Sequence, residues 1–123
     1  MSTDRENYEL ALSLHGEGKY KEAIAIAHQI FEPAFRAGIL IDSGTDAGKP
    51  QVVSEGVKLF EAILNGDRRG ISRASLLYNI GNGYSSIYKL RRMRGVKVVA
   101  PNDDDLRKAQ IAYRDAYSGE FVH

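Results

Sequence analysis

Lys21-Glu-Ala-Ile-Ala-Ile-Ala-His-Gln-Ile-Phe31, Ser54-Glu-Gly-Val-Lys-Leu-Phe-Glu-Ala-Ile-Leu64 and Arg107-Lys-Ala-Gln-Ile-Ala-Tyr-Arg-Asp-Ala-Tyr117 are one pattern written three times. Each copy has a small residue in third place (Ala23, Gly56, Ala109) and a core residue four later (Ala27, Phe60, Tyr113). Seven and eight positions beyond the small residue come Ile30-Phe31, Ile63-Leu64 and Ala116-Tyr117. Steps of four and seven return to one face of an α-helix, so each copy is an amphipathic helix. The first two copies begin 33 residues apart (Lys21 to Ser54) and the last two 53 apart (Ser54 to Arg107), which places an insertion in the third unit. A helical unit recurring at such a period marks a solenoid of stacked units.

Working outward, Thr3 or Asp4 can cap a first helix carrying Tyr8, Leu10, Ala11 and Leu14. His15-Gly-Glu-Gly-Lys19 interrupts it, because glycine favours turns over helix. A second helix starts near Tyr20, with Ala23, Ile24, Ala27, Ile30 and Phe31 on one face. Pro33 suits the first turn of a third helix with Phe35, Ile39 and Leu40. Asp42-Ser-Gly-Thr-Asp-Ala-Gly-Lys-Pro50 reads as loop by composition. A fourth helix, from about Gln51 to Leu64, buries Val53, Val57, Phe60, Ile63 and Leu64. The fifth starts near Ser72, presents Leu76, Leu77, Ile80, Tyr84 and Ile87, and frays between Lys89 and Arg94. Gly95-Val-Lys-Val-Val-Ala-Pro101 reads as extended, and Asn102 or Asp103 caps a sixth helix through Leu106, Ala109, Tyr113, Ala116 and Tyr117. The expected fold is a single all-α domain of three helix pairs. These occupy about 4–32, 33–65 and 70–118, with the insertion at about 89–102.

Leu77-Tyr-Asn-Ile-Gly-Asn-Gly-Tyr84 and Gly18-Lys-Tyr-Lys-Glu-Ala-Ile24 resemble the first helix and the hairpin turn of the tetratricopeptide repeat (TPR) family. Leu77 stands in that family's aromatic place and Ile80 in its Leu place. Asn7-x-x-Leu10-Ala11-x-x-Leu14 is a degraded version of the same helix. The second unit departs most, with a short first helix and the Asp42–Pro50 loop in place of a tight turn. The resemblance covers nearly the whole chain and implies a right-handed α-α superhelix of three TPR-like pairs. It also implies a concave groove that receives a protein or peptide, lined by Tyr8, Leu12 and His15 in the first unit and by Tyr78, Asn82, Ser85 and Ser86 in the third. Tyr78 stands where carboxylate-clamping members of the family carry Lys. Small residues let the paired helices approach, Gly81 and Ala11 facing Ala109 and Ala23.

The 123 residues allow one domain, and 43 % apolar with 27 % charged residues is ordinary globular composition. Without cysteine there is no disulfide, thiolate metal site or thiol nucleophile. No apolar run approaches the roughly 18 residues that a membrane helix needs, and the polar start Met1-Ser-Thr-Asp-Arg-Glu6 is unlike a signal peptide, so the expected compartment is the cytoplasm with no membrane contact.

The net charge of +1 conceals an asymmetry. Residues 67–97 hold eight basic side chains and one acid, whereas the rest holds nine basic and fifteen acidic. The densest part, Lys89-Leu-Arg-Arg-Met-Arg-Gly-Val-Lys97, places Lys89, Arg91, Arg92, Arg94 and Lys97 within nine positions. Such a patch meets phosphates, an acidic partner, or the chain's own Asp103-Asp-Asp105. Pairing within the chain is the leading reading. Nucleic-acid binding ranks lower, since no aromatic is interleaved for base stacking. A loose resemblance around Tyr78–Tyr88 to the repeat segments of bacterial proteins whose effector, such as a HEPN-type nuclease, lies elsewhere keeps a nucleic-acid- or nucleotide-associated accessory role open.

Chemistry-bearing patterns are sparse. Gly44-Thr-Asp-Ala-Gly-Lys-Pro50 has three residues where a phosphate loop has four between its glycines, and Pro50 where that loop needs Ser or Thr. His15, His28 and His123 lack a partner at metal-ligand spacing, and Asp103–Asp105 lacks the alternation of a calcium loop. The expectation is a non-enzymatic module with no metal and no cofactor. The C-terminal helix, with Tyr113 and Tyr117 awaiting cover, is a candidate surface for a partner or a second copy.

Overall fold

A computed structural model describes residues 2–95 and 103–121, with side chains described as far as residue 118. Six helices follow one another: α1 (Asp4–Gly16), α2 (Tyr20–Ala27), α3 (Pro33–Asp46), α4 (Pro50–Asn65), α5 (Arg73–Met93) and α6 (Asp104–Phe121). No strand occurs among the described residues. The extended reading of Gly95–Pro101 falls, beyond Gly95, outside them, as does Lys97.

Local chemistry sets the helix starts. Thr3 caps α1 through a reciprocal capping box with Glu6. Ser72 caps α5 by accepting from the Ser75 N–H, and Asp103 begins α6 by accepting from the Leu106 N–H at 3.1 Å. Pro33 and Pro50 sit in first turns, where a missing N–H costs no hydrogen bond.

Two elements differ from expectation. The Asp42–Pro50 loop does not exist as such: α3 continues to Asp46, leaving only Ala47, Gly48 and Lys49 as a turn. The second unit therefore has a full first helix and a tight turn. Ser43 is fully buried there, and a Cβ on Gly44 would lie 3.0 Å from Val52 and from the Val53 backbone. Packing against α4 thus holds a segment whose composition reads as loop. Conversely, α2 stops at Ala27; Ile30 is buried beyond its end, but Phe31 is 90 % exposed instead of sharing the core face. The amides of Phe31 and Glu32 are turned to the Asp4 carboxylate, which accepts from both at 3.0 and 2.7 Å.

The α1–α2 and α3–α4 turns are built alike. Lys19 N–H donates to Leu14 and Lys49 N–H to Gly44, each at 2.8 Å, while Gly18 and Gly48 donate three residues back to His15 and Thr45. This Schellman closure needs a left-handed residue, and Gly18 and Gly48 supply it at φ of 78° and 71°. Each helix packs on its successor, α1 also touches α3, and α3 also touches α5. One core forms around Ala11, Ala23, Ile24, Ala27, Ile39 and Leu40, and a second around Val53, Val57, Phe60, Leu76, Ile80 and Ala112. The closest approach sits at Gly83, where a Cβ would meet Val57 Cγ2 at 2.1 Å. At Gly81 the nearest atoms belong to the Tyr113 ring, so that glycine receives an aromatic from α6.

Candidate binding cleft

A polar cleft lies among α1, α3, α5 and α6. It is about 360 Å³ in volume, with His15 from α1, Asp42, Thr45 and Asp46 from α3, Asn82, Ser85, Ser86 and Lys89 from α5, and Tyr113 from α6. A neighbouring hollow of about 510 Å³ shares Thr45, Asp46, Ser86 and Lys89 and continues over Ala47, Leu90 and Met93. The two form one trough, polar at one end and more apolar at the other.

Hydrogen bonding fixes the walls. His15 Nε2 lies 3.1 Å from Asp46 Oδ2, and His15 Nδ1 lies 2.9 Å from Ser43 Oγ. Because a carboxylate only accepts, Nε2 donates to Asp46, while Nδ1 shares a hydrogen bond with the Ser43 hydroxyl. Ser43–His15–Asp46 has the membership of a nucleophilic triad, but Ser43 is 0 % exposed, so its hydroxyl is closed to substrate. The chain of bonds acts as a clasp between α1 and α3. Across the trough, Tyr113 donates to Asn82 Oδ1 at 2.6 Å, and its ring lies 5.8 Å from that of Tyr78. Burial is the main cause raising the Tyr113 phenol pKa, with Tyr78 adding to it. Asp42 is also raised, first by desolvation against the cleft wall and secondarily by Asp46, with His15 opposing.

Of the residues expected to line a groove, His15, Asn82, Ser85 and Ser86 come together here, joined by Lys89 from the basic segment. Tyr78 stands beside them, 47 % exposed and packed on Tyr113. Tyr8 stacks on Phe35 at 4.5 Å between centroids, and Leu12, 44 % exposed, lies outside the cleft lining. Asp42, Thr45 and Asp46 were hidden in the apparent loop; helical spacing of Asp42 and Asp46 was the signal that could have found them.

Within the basic segment Arg91 is half-buried, while Lys89, Arg92 and Arg94 are exposed. Arg91 bonds to Asp105 and pairs with Asp103 at 3.3 Å. Arg94 donates to the Gly48 carbonyl, and Arg92 lies over the Tyr88 ring and reaches its hydroxyl at 3.3 Å. His28 is on the surface, 2.8 Å from Glu55. No group of three or more potential metal ligands occurs among the described residues, and no helix there is long and apolar enough to cross a membrane.

No family model, curated protein or solved structure matches the chain.

Proposed function

We propose that the chain is a non-enzymatic TPR-like interaction module that holds a peptide or protein segment in the trough between its first helices. One observation carries this reading: α1, α3 and α5, the first helices of the three pairs, present polar side chains to a single continuous cleft. The two like-built Gly-Lys turns, and the contacts of α1 with α3 and of α3 with α5, support a superhelical stack. An extended peptide suits the lining. Asn82, Ser85, Ser86 and Thr45 offer donors and acceptors for its backbone, while Leu90 and Met93 offer apolar contact. A nucleic-acid role draws less support, because Arg91, at the centre of the basic segment, is paired with Asp103 and Asp105.

Capture from lysate with and without nuclease separates the two. Baits carry either Thr45→Arg with Ser86→Arg, which fills the trough, or Arg92→Glu with Arg94→Glu. Proteins retained after nuclease and lost only with the trough variant fit the peptide reading. Nucleic acid recovered by the native bait and lost with the Glu variant would replace it.

A further inference from the structure

The first and last helices carry matching stripes of opposite charge. On α1, Glu6, Leu10, Ser13 and Glu17 step by four, three and four residues through the helix and its C-cap, and all four are exposed, Leu10 at 46 %. At about 100° per residue this stripe lies about half a turn from Tyr8 and His15, which touch Phe35, Ser43 and Asp46 of α3. On α6, Arg107, Ile111, Arg114 and Ser118 follow the same steps and are likewise exposed, Ile111 at 41 %. They lie about half a turn from the buried Ala109, Ala112 and Ala116. Among the described helices α1 packs only on α2 and α3, and α6 only on α5, so both stripes lie on the outer sides of their helices, with Ile111 at the rim of a hollow that α6 shares with α4 and α5.

One stripe is acidic around a leucine, the other basic around an isoleucine, and the apolar residue holds second place in both. We propose that this chain associates with itself head to tail, the α1 stripe of one copy seating on the α6 stripe of the next. The charges have local partners: Glu6 accepts from the Thr3 N–H at 3.1 Å, Glu17 pairs with Lys19 at 3.2 Å, and Arg114 reaches Asp115 at 3.4 Å. These exposed contacts are weak and exchange readily with an intermolecular pair. The two stripes differ, so the contact is heterologous and propagates from copy to copy instead of closing as a two-fold dimer.

A contact of one helix face on another belongs to the small, weak class of interfaces, so sedimentation velocity is read from about 20 μM to about 1 mM protein. The weight-average sedimentation coefficient rises with concentration, and the rise shrinks at about 0.5 M NaCl, where the Debye length falls to a few ångströms. Ser13→Arg with Glu17→Arg makes both ends basic; Arg107→Glu with Arg114→Glu makes both ends acidic. Each variant alone loses about tenfold or more in self-affinity. An equimolar mixture recovers association, because the unaltered basic α6 of the first variant meets the unaltered acidic α1 of the second, and the basic α1 of the first meets the acidic α6 of the second. That recovery also shows that both variants are folded. A chain that stays monomeric throughout the range, variants that associate like the native chain, or a mixture without recovery would each overturn the proposal. None of these results bears on the trough.

Discussion

Gly83→Ala adds one methyl group at the tightest contact between α4 and α5. The new Cβ would stand 2.1 Å from Val57 Cγ2, against the roughly 3.5–4.0 Å of ordinary carbon contact, a deficit of about 1.5 Å. Val57 is 1 % exposed and β-branched, so on a helix it has essentially one rotamer and cannot swing aside; the helices must separate. Overpacking of this kind costs about 1–3 kcal/mol, here at the upper end. Replacing a helical glycine by alanine returns about 1 kcal/mol. The net expectation is a loss of about 1–2 kcal/mol, or a Tm lowered by about 4–8 °C for a chain of this size. Gly38→Ala in α3 is the control, since a Cβ there meets nothing within 4 Å and the propensity gain acts alone, raising Tm by about 2–4 °C. Thermal and urea unfolding followed by circular dichroism give both numbers. Val57→Ala in the Gly83→Ala background removes the atom that is struck, so the double variant should lose less than the sum of the singles by about 1 kcal/mol. A Gly83→Ala protein as stable as the native chain, or strict additivity with Val57→Ala, would refute the packing described here.

Asp42→Asn raises Tm near pH 7, and the gain fades as pH falls through the carboxylate range. The folded pKa is raised by desolvation, so the folded state binds the proton more tightly and stability is lost as pH climbs from the ordinary value of 3.8 through the raised one. An equal gain at acidic and neutral pH would contradict this. Asp103→Ala removes the α6 cap and a partner of Arg91, costing about 2 kcal/mol by urea denaturation, whereas Asp103→Asn keeps the cap and costs less. Identical losses would mean the cap contributes nothing. Tyr113→Phe deletes the 2.6 Å bond to Asn82 while keeping the ring over Gly81, costing about 1 kcal/mol with helical content unchanged. No loss, or a collapse of helicity, would contradict the assigned contact.

Helix starts were legible in the sequence because capping is local: Thr3, Pro33, Ser72 and Asp103 act within one turn of themselves. The core faces of α4 and α5 were legible for the same reason, since Val53, Val57, Phe60, Ile63, Leu76, Leu77, Ile80 and Ile87 hold one face and are buried. The end of α3 was not. Ser43, Gly44 and Thr45 favour turns intrinsically, and only packing on α4, with a Thr45 hydroxyl bonded back to the Ile41 carbonyl at 2.7 Å, keeps them helical. The end of α2 failed in the other direction, because periodicity ran on through Phe31 while the Asp4 carboxylate, distant in sequence, drew the backbone out of the helix. The cleft inherited the first error. Asn82, Ser85 and Ser86 are expected on a groove from the TPR resemblance of α5, but the opposing wall of Asp42, Thr45 and Asp46 lies in a stretch whose composition reads as loop. Tyr113 shows a different limit: its place in a helical apolar stripe identified it as core, and only the glycine at position 81 reveals that its ring crosses to α5 and its hydroxyl reaches the cleft.

Selection of displayed peptides on the purified chain tests the trough most directly, with Ser86→Trp as the counter-bait. Ser86 is half-buried and lines both parts of the trough, so an indole there occupies the space a peptide would need. The expected result is peptides of shared pattern that bind the native chain and lose about tenfold or more in affinity for Ser86→Trp, a penalty of about 1.4 kcal/mol. Peptides that bind both baits equally, or selection that yields no common pattern, would contradict it.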